Sequence, residues 1–155
     1  MCIRDKPKPL SSSDKSFVKK SIDSLYFLTL LTENGKRNGL KIEDAKKLAE
    51  KISNDSNKIY GELSALITDP KELPNKVSGG DKSKMEKAGK AEGDKYDKEQ
   101  FELISKELKS LARGFETASK SAQNETIKQV VTTWLDPMKS QADEAEKIAK
   151  AKPVK

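Results

Sequence analysis

The spacing of the apolar residues constrains the fold of this 155-residue chain more than any other feature. Small and apolar positions recur at alternating steps of three and four residues at Ala45, Leu48, Ile52, Ser56, Ile59, Leu63 and Leu66. A second stretch repeats the rhythm at Phe101, Ile104, Leu108, Leu111, Phe115, Ala118 and Ala122. Because an α-helix has about 3.6 residues per turn, this spacing lines one face of a helix. Both stretches therefore predict amphipathic helices with one buried stripe.

Two more helices are predicted at the ends of the chain. The first begins at Ser13 or Asp14, either of which can accept a first-turn amide, and ends at Asn34-Gly35. The last begins after the cap residue Asn124. Pro137 lies inside its apolar pattern and predicts a kink or a restart, with Asp136 as a local cap.

The segment between the second and third helices is polar. Asp69-Pro70 is expected to end helix two, and residues 70–93 form a long connection with a short helix around Met85. Two hairpins joined by one longer crossover predict an all-α, four-helix bundle. The domain is expected to span residues 14–149, with a flexible tether at 1–13 and a frayed basic tail at 150–155.

The net charge of +6 raises the question of whether the chain binds nucleic acid. Residues 1–20 hold six basic and two acidic side chains, whereas residues 81–110 hold eight of each. The excess therefore lies outside the periodic middle of the chain, where a nucleic-acid surface would need it. We predict no nucleic-acid partner, and an unknown protein or small molecule is left as the partner.

The chain contains no histidine and a single cysteine. Histidine is the usual general base near neutral pH and the commonest metal ligand, and Cys2 has no second thiol to pair with. We therefore predict no enzyme activity, no metal and no cofactor.

Four short patterns together resemble one protein family. They are Asp14 with Phe17 at the start of helix one, a helix running from Lys47-Leu48-Ala49 through Asp55-Ser56 to Leu63, Leu73-Pro74 followed by Tyr96-Asp97, and Phe115-Glu116 followed by Leu135-Asp136-Pro137. In order and spacing, over residues 14–149, they resemble the bacterial family catalogued as domain of unknown function 4142. The resemblance implies a ferritin-like four-helix fold in a secreted or outer-membrane protein.

The resemblance also implies histidines that this chain lacks. By our alignment, members commonly carry them at the positions of Ser56, Leu108 and Gln141. Ser56 and Gln141 instead put polar groups on apolar stripes and are candidates for a small buried polar pocket. The alternative is that Ser56 bonds back to the carbonyl of Ile52, while Gln141 lies at an edge near Pro137.

Cys2 is the candidate for lipidation, since an unpaired thiol is awkward in an exported protein and a polar tether follows it. The expected function is that of a non-enzymatic helical-bundle protein of the bacterial cell envelope, in the periplasm or at the outer membrane, with a binding or structural role. Its membrane contact is expected only through that anchor. The alternatives are a ferritin-like protein that handles a ligand or metal at an unrecognised site, and a cytoplasmic location.

Overall fold

A computed structural model describes residues 10–38, 40–67, 69, 71, 73, 79–91 and 94–150. This part of the chain is helical, without strands. The helices are α1 (Ser12–Asn38), α2 (Glu43–Ser64), α3 (Gly79–Gly89), α4 (Asp94–Ser121) and α5 (Glu125–Lys150). The all-α prediction is thus confirmed.

The predicted count of four helices needs correction, because the described residues form five. The additional helix, α3, is the short one expected around Met85 within the connection between hairpins. It packs on α4, with Ala88 buried and Met85 half-buried. A helix this short persists because it covers apolar surface on its neighbour, not because of its own propensity.

The four long helices enclose one core. Helix α1 packs against α2 and α4, and α5 packs against α4 and α2. Large fully buried side chains come from every one of them, including Ile22, Ile52, Phe101 and Ile127. The rings of Phe17 and Phe115 meet at 5.5 Å in a tilted contact that joins α1 to α4. The apolar stripes therefore face inward, as their spacing predicted.

Two predicted helix ends were wrong. Helix α1 continues past Asn34-Gly35 to Asn38, because a glycine weakens a helix by only about 1 kcal/mol and does not by itself end one. Helix α2 ends at Ser64, five residues before Asp69-Pro70. Leu66 and Ile67 each donate to a carbonyl three residues back, which tightens the last turn and closes the helix.

The start of α1 also differs from the prediction. Its cap is Ser11, whose Oγ accepts the amide of Asp14 at 3.1 Å. The helix therefore begins at Ser12, and neither Ser13 nor Asp14 is its cap. Asp14 is directed elsewhere, as described below.

Helix α5 begins as predicted and then departs from the prediction. The Oδ1 of Asn124 accepts the amide of Ile127 at 3.0 Å, which confirms Asn124 as the cap. The helix then runs without interruption through Pro137, so the predicted restart and the cap at Asp136 were wrong. Pro137 and Thr133, whose carbonyl loses its partner, both lie on the exposed face, where water can replace the missing bond.

Several predictions lie outside the described residues, namely Cys2 with the tether as far as residue 9, and the tail at 151–155. Within the described part, no helix is both long enough and apolar enough to cross a bilayer.

Candidate functional site

A buried carboxylate on α4 reaches across to the other hairpin. Asp97 has no exposed surface and accepts the backbone amides of Lys41 at 3.1 Å and Ile42 at 2.8 Å. These two amides immediately precede α2, where helix amides lack partners within the helix. The side chain of Asp97 thus caps α2 from a distance of 55 residues in sequence.

A second buried carboxylate does the same at the opposite end of the molecule. Asp14, on α1, is 4 % exposed and accepts the amides of Gln123 at 3.1 Å and Asn124 at 3.0 Å. These amides immediately precede α5. We call Asp14 and Asp97 the aspartate clamps. Each lies near the start of the first helix of one hairpin and caps the second helix of the other.

The clamps explain how the core holds two buried carboxylates. Each carboxylate lies at a helix N-terminus, where the aligned peptide dipoles are worth about half a positive charge. Short hydrogen bonds from backbone amides replace the water that burial removes. The oxygens of both carboxylates therefore bind backbone amides of the opposite hairpin, and these bonds hold the two hairpins together.

The sequence carries a signal for the clamps, one helical turn before the apolar stripes begin. The predicted stripe of the third long helix begins at Phe101 and therefore leaves out Asp97, which is buried. Asp97 lies four residues before Phe101, so extending the stripe back by one turn reaches it. Asp14 lies four residues before Val18 in the same way. Asp14 had been singled out as a cap of its own helix and as part of the family pattern, and Asp97 only as part of the family pattern.

The two candidate pocket residues, Ser56 and Gln141, are both buried, at 3 % and 4 % exposure. Gln141 donates from Nε2 to Oδ2 of Asp55 at 2.6 Å, so it joins α5 to α2 rather than lying at an edge. Leu108, the third position aligned with a histidine, is also buried. A ligand pocket at Ser56 and Gln141 stays a prediction.

A surface cluster between α4 and α5 has one perturbed carboxyl group. Glu146 accepts from Lys150 at 2.8 Å and from Lys109 at 3.0 Å. These two hydrogen-bonded ammonium groups lower the pKa of Glu146 from 4.5 to about 2. The cluster ties the end of α5 to α4.

The lowered pKa predicts an acid-dependent contribution to stability. Because the pKa of Glu146 is lower in the folded chain than in the unfolded chain, its contribution is complete above about pH 4.5. It is lost as the pH falls through about 2. A carboxyl chemical-shift titration is expected to give the low pKa, and Lys109→Ala is expected to raise it. An ordinary pKa in the unmodified chain would contradict the cluster.

Three surface clefts formed by the described residues lie between neighbouring helices. The first, of about 440 Å³, lies between α3 and α4 and has Phe27 and Leu103 in its lining. The second, of about 390 Å³, lies between α2 and α5, with Leu48 and Ile148. The third, of about 280 Å³, lies between α4 and α5. Neither Ser56 nor Gln141 lines any of these three.

Among the described residues, acidic and cysteine side chains do not gather in groups of three that could hold a metal ion. The buried polar atoms there all have hydrogen-bond partners. Asp14, Asp97 and Gln141 form their hydrogen bonds between helices, whereas Thr32 bonds within α1.

Comparison with known proteins identifies a family. The model of the family described as a domain of unknown function, DUF4142, matches residues 5–148, which is nearly the whole chain. Neither the curated proteins nor the solved structures include a match. The match extends over both hairpins and both aspartate clamps. The chain therefore belongs to the DUF4142 family of domains of unknown function.

Proposed function

We propose that this protein is a non-catalytic helical scaffold of the bacterial cell envelope, with a binding or structural role. The aspartate clamps carry the proposal. A catalytic carboxylate needs an oxygen directed at a substrate, often with its pKa tuned for proton transfer. Asp14 and Asp97 instead use their oxygens on backbone amides of the opposite hairpin. Chemistry based on histidine is also excluded by composition.

We also propose that the arrangement of the long helices is ferritin-like. The clamp at Asp97 puts the starts of α2 and α4 at the same end of the molecule, so these helices run parallel. The connection between them must then return along the length of α2, roughly 33 Å at 1.5 Å per residue. One long crossover between two hairpins is typical of ferritin-like folds.

The proposed location is the periplasm or the outer membrane, where a lipid on Cys2 would anchor the chain. Nine residues lie between Cys2 and Ser12, the first residue of α1, so ten backbone steps join the two. Fully extended, they would reach about 35 Å, which leaves the domain free of the bilayer surface. A tether of this length suits an anchored scaffold that must meet a partner.

Mass spectrometry of the protein isolated from its source tests the proposal. We expect a membrane fraction in which the amino-terminal peptide begins at Cys2 and carries a thioether-linked lipid. A peptide beginning at Met1 with a free Cys2 thiol, in the soluble fraction, would contradict the envelope location. Stoichiometric iron, manganese or zinc in the same preparation would contradict the non-catalytic scaffold and favour a metal-handling protein.

A further inference from the structure

The cleft between α2 and α5 differs from the other two in the state of its lysines. Lys47 and Lys51 are one turn apart on α2, and Lys147 faces them from α5. Within the described part of the chain, none of the three forms an ion pair. Nearby lysines do: Lys46 pairs with Glu43, and Lys150 with Glu146. The groove therefore presents three ammonium groups that a bound ligand could pair with.

The floor of this groove is apolar. Leu48 is 6 % exposed and Ile148 is half-buried, and both pack on the core between the two helices. Asp44 and Glu144 also line the groove, so its charged groups are three cations and two anions. The cations are in excess, and the volume of about 390 Å³ is within the usual range for small-molecule sites.

The other two clefts lack this combination. In the cleft between α3 and α4, Lys84 and Lys87 form no ion pair with a described residue, but Lys106 is paired with Glu102 at 3.3 Å and the rim holds as many glutamates as lysines. The cleft between α4 and α5 has the same excess of one cation, but Lys109 is held by Glu146 and Lys139 lies 3.9 Å from Glu116, which leaves Arg113 as its one cation without an ion pair to a described residue. Of these three clefts among the described residues, the groove between α2 and α5 therefore presents the most unpaired cations to an anion.

We infer that the groove between α2 and α5 binds a free single-chain anionic amphiphile, with a carboxylate or phosphate head on an alkyl chain. The head meets the ammonium groups of Lys47, Lys51 and Lys147, while the chain lies over Leu48 and Ile148. A flat anionic membrane would reach the ammonium groups but not a floor recessed between helices. The inference rests on the proposed binding role, but not on the envelope location.

The test is a titration of the purified, ¹⁵N-labelled chain with decanoate below its micelle concentration. We expect saturable amide shifts in the first turns of α2 and the last turns of α5. Decyl phosphate is expected to act similarly, whereas decyltrimethylammonium and inorganic phosphate are not. Shifts from the cationic amphiphile that equal those from decanoate, or shifts confined to the cleft between α3 and α4, would overturn the inference.

A triple variant tests the lysines. Lys47→Gln, Lys51→Gln and Lys147→Gln together are expected to weaken decanoate binding about tenfold, or 1.4 kcal/mol. All three positions are exposed, so the helical circular dichroism is expected to be unchanged.

A matched control removes the same charge elsewhere. Lys19→Gln, Lys20→Gln and Lys58→Gln lie at exposed positions outside the groove and are expected to leave binding within about twofold. Equal losses in both triple variants would show a general charge effect and overturn the site.

A further variant tests the apolar floor of the groove. Ile148→Ala is expected to reduce the preference for decanoate over hexanoate, because it shortens the apolar surface under the chain.

Binding of anionic phosphatidylglycerol vesicles without any response to decanoate would assign the lysines to a membrane surface and overturn the inference. None of these results depends on the amino-terminal peptide, so the site and the envelope location fail separately.

Discussion

Replacing Asp97 with alanine is expected to lower the free energy of unfolding by about 3 kcal/mol. The substitution leaves the amides of Lys41 and Ile42 without an acceptor at the start of α2. It also removes a buried charge, which by itself would be favourable. The loss of two charge-assisted hydrogen bonds is expected to outweigh that gain, because the helix dipole already offsets the cost of burying the charge. Urea denaturation followed by circular dichroism measures the change.

Two comparisons make this result specific. Asp97→Asn retains one acceptor oxygen and is expected to lose less than the alanine variant. Glu62→Ala, at an exposed position on α2, is expected to stay within about 0.5 kcal/mol of the unmodified chain. If Asp97→Ala were as stable as Glu62→Ala, the clamp would have no energetic role.

Replacing Asp14 with alanine is expected to cost about 2 kcal/mol. Its carboxylate accepts the amides of Gln123 and Asn124, and it is slightly more exposed than Asp97. The smaller expected loss follows from easier access of water to the freed amides.

The double variant tests whether the two clamps act separately. They lie at opposite ends of the long helices, and changes that far apart usually add within about 0.5 kcal/mol. We expect Asp14→Ala with Asp97→Ala to cost about 5 kcal/mol by the same denaturation measurement. A double variant no less stable than Asp97→Ala alone would contradict independent clamps.

The sequence was sufficient to predict the helices because their apolar stripes are long and regular. Every fully apolar member of the stripe from Phe101 to Ala118 is buried, as its spacing required. The cap at Asn124 was also predictable, because its partner Ile127 lies three residues away. Apolar periodicity and contacts between residues close in the chain can be predicted from a single sequence.

The ends of the helices were less predictable, because several competing weak effects decide them. Gly35 was expected to stop α1, yet the helix continues to Asn38. Pro137 was expected to kink α5 or to make it restart, yet the helix does not restart, because packing along its buried face outweighs one lost hydrogen bond on the exposed face. In both cases the tertiary contacts of the whole helix overrode a single residue's preference.

The clamps were hidden for a different reason. Asp14 and the amide of Asn124 are separated by 110 residues, and no local pattern records such a pairing. An aspartate near the start of a helix is normally taken as a cap of that helix. Only the packing of one hairpin on the other shows that it caps a helix elsewhere. The same holds for the bond from Gln141 to Asp55.

Hydrogen exchange at four backbone amides tests the clamps most directly. In the unmodified chain, the amides of Lys41, Ile42, Gln123 and Asn124 are expected to exchange slowly although they precede helices. Asp97→Ala should release Lys41 and Ile42 alone, and Asp14→Ala should release Gln123 and Asn124 alone. Fast exchange at all four amides in the unmodified chain would mean that the two hairpins are not held together by these carboxylates.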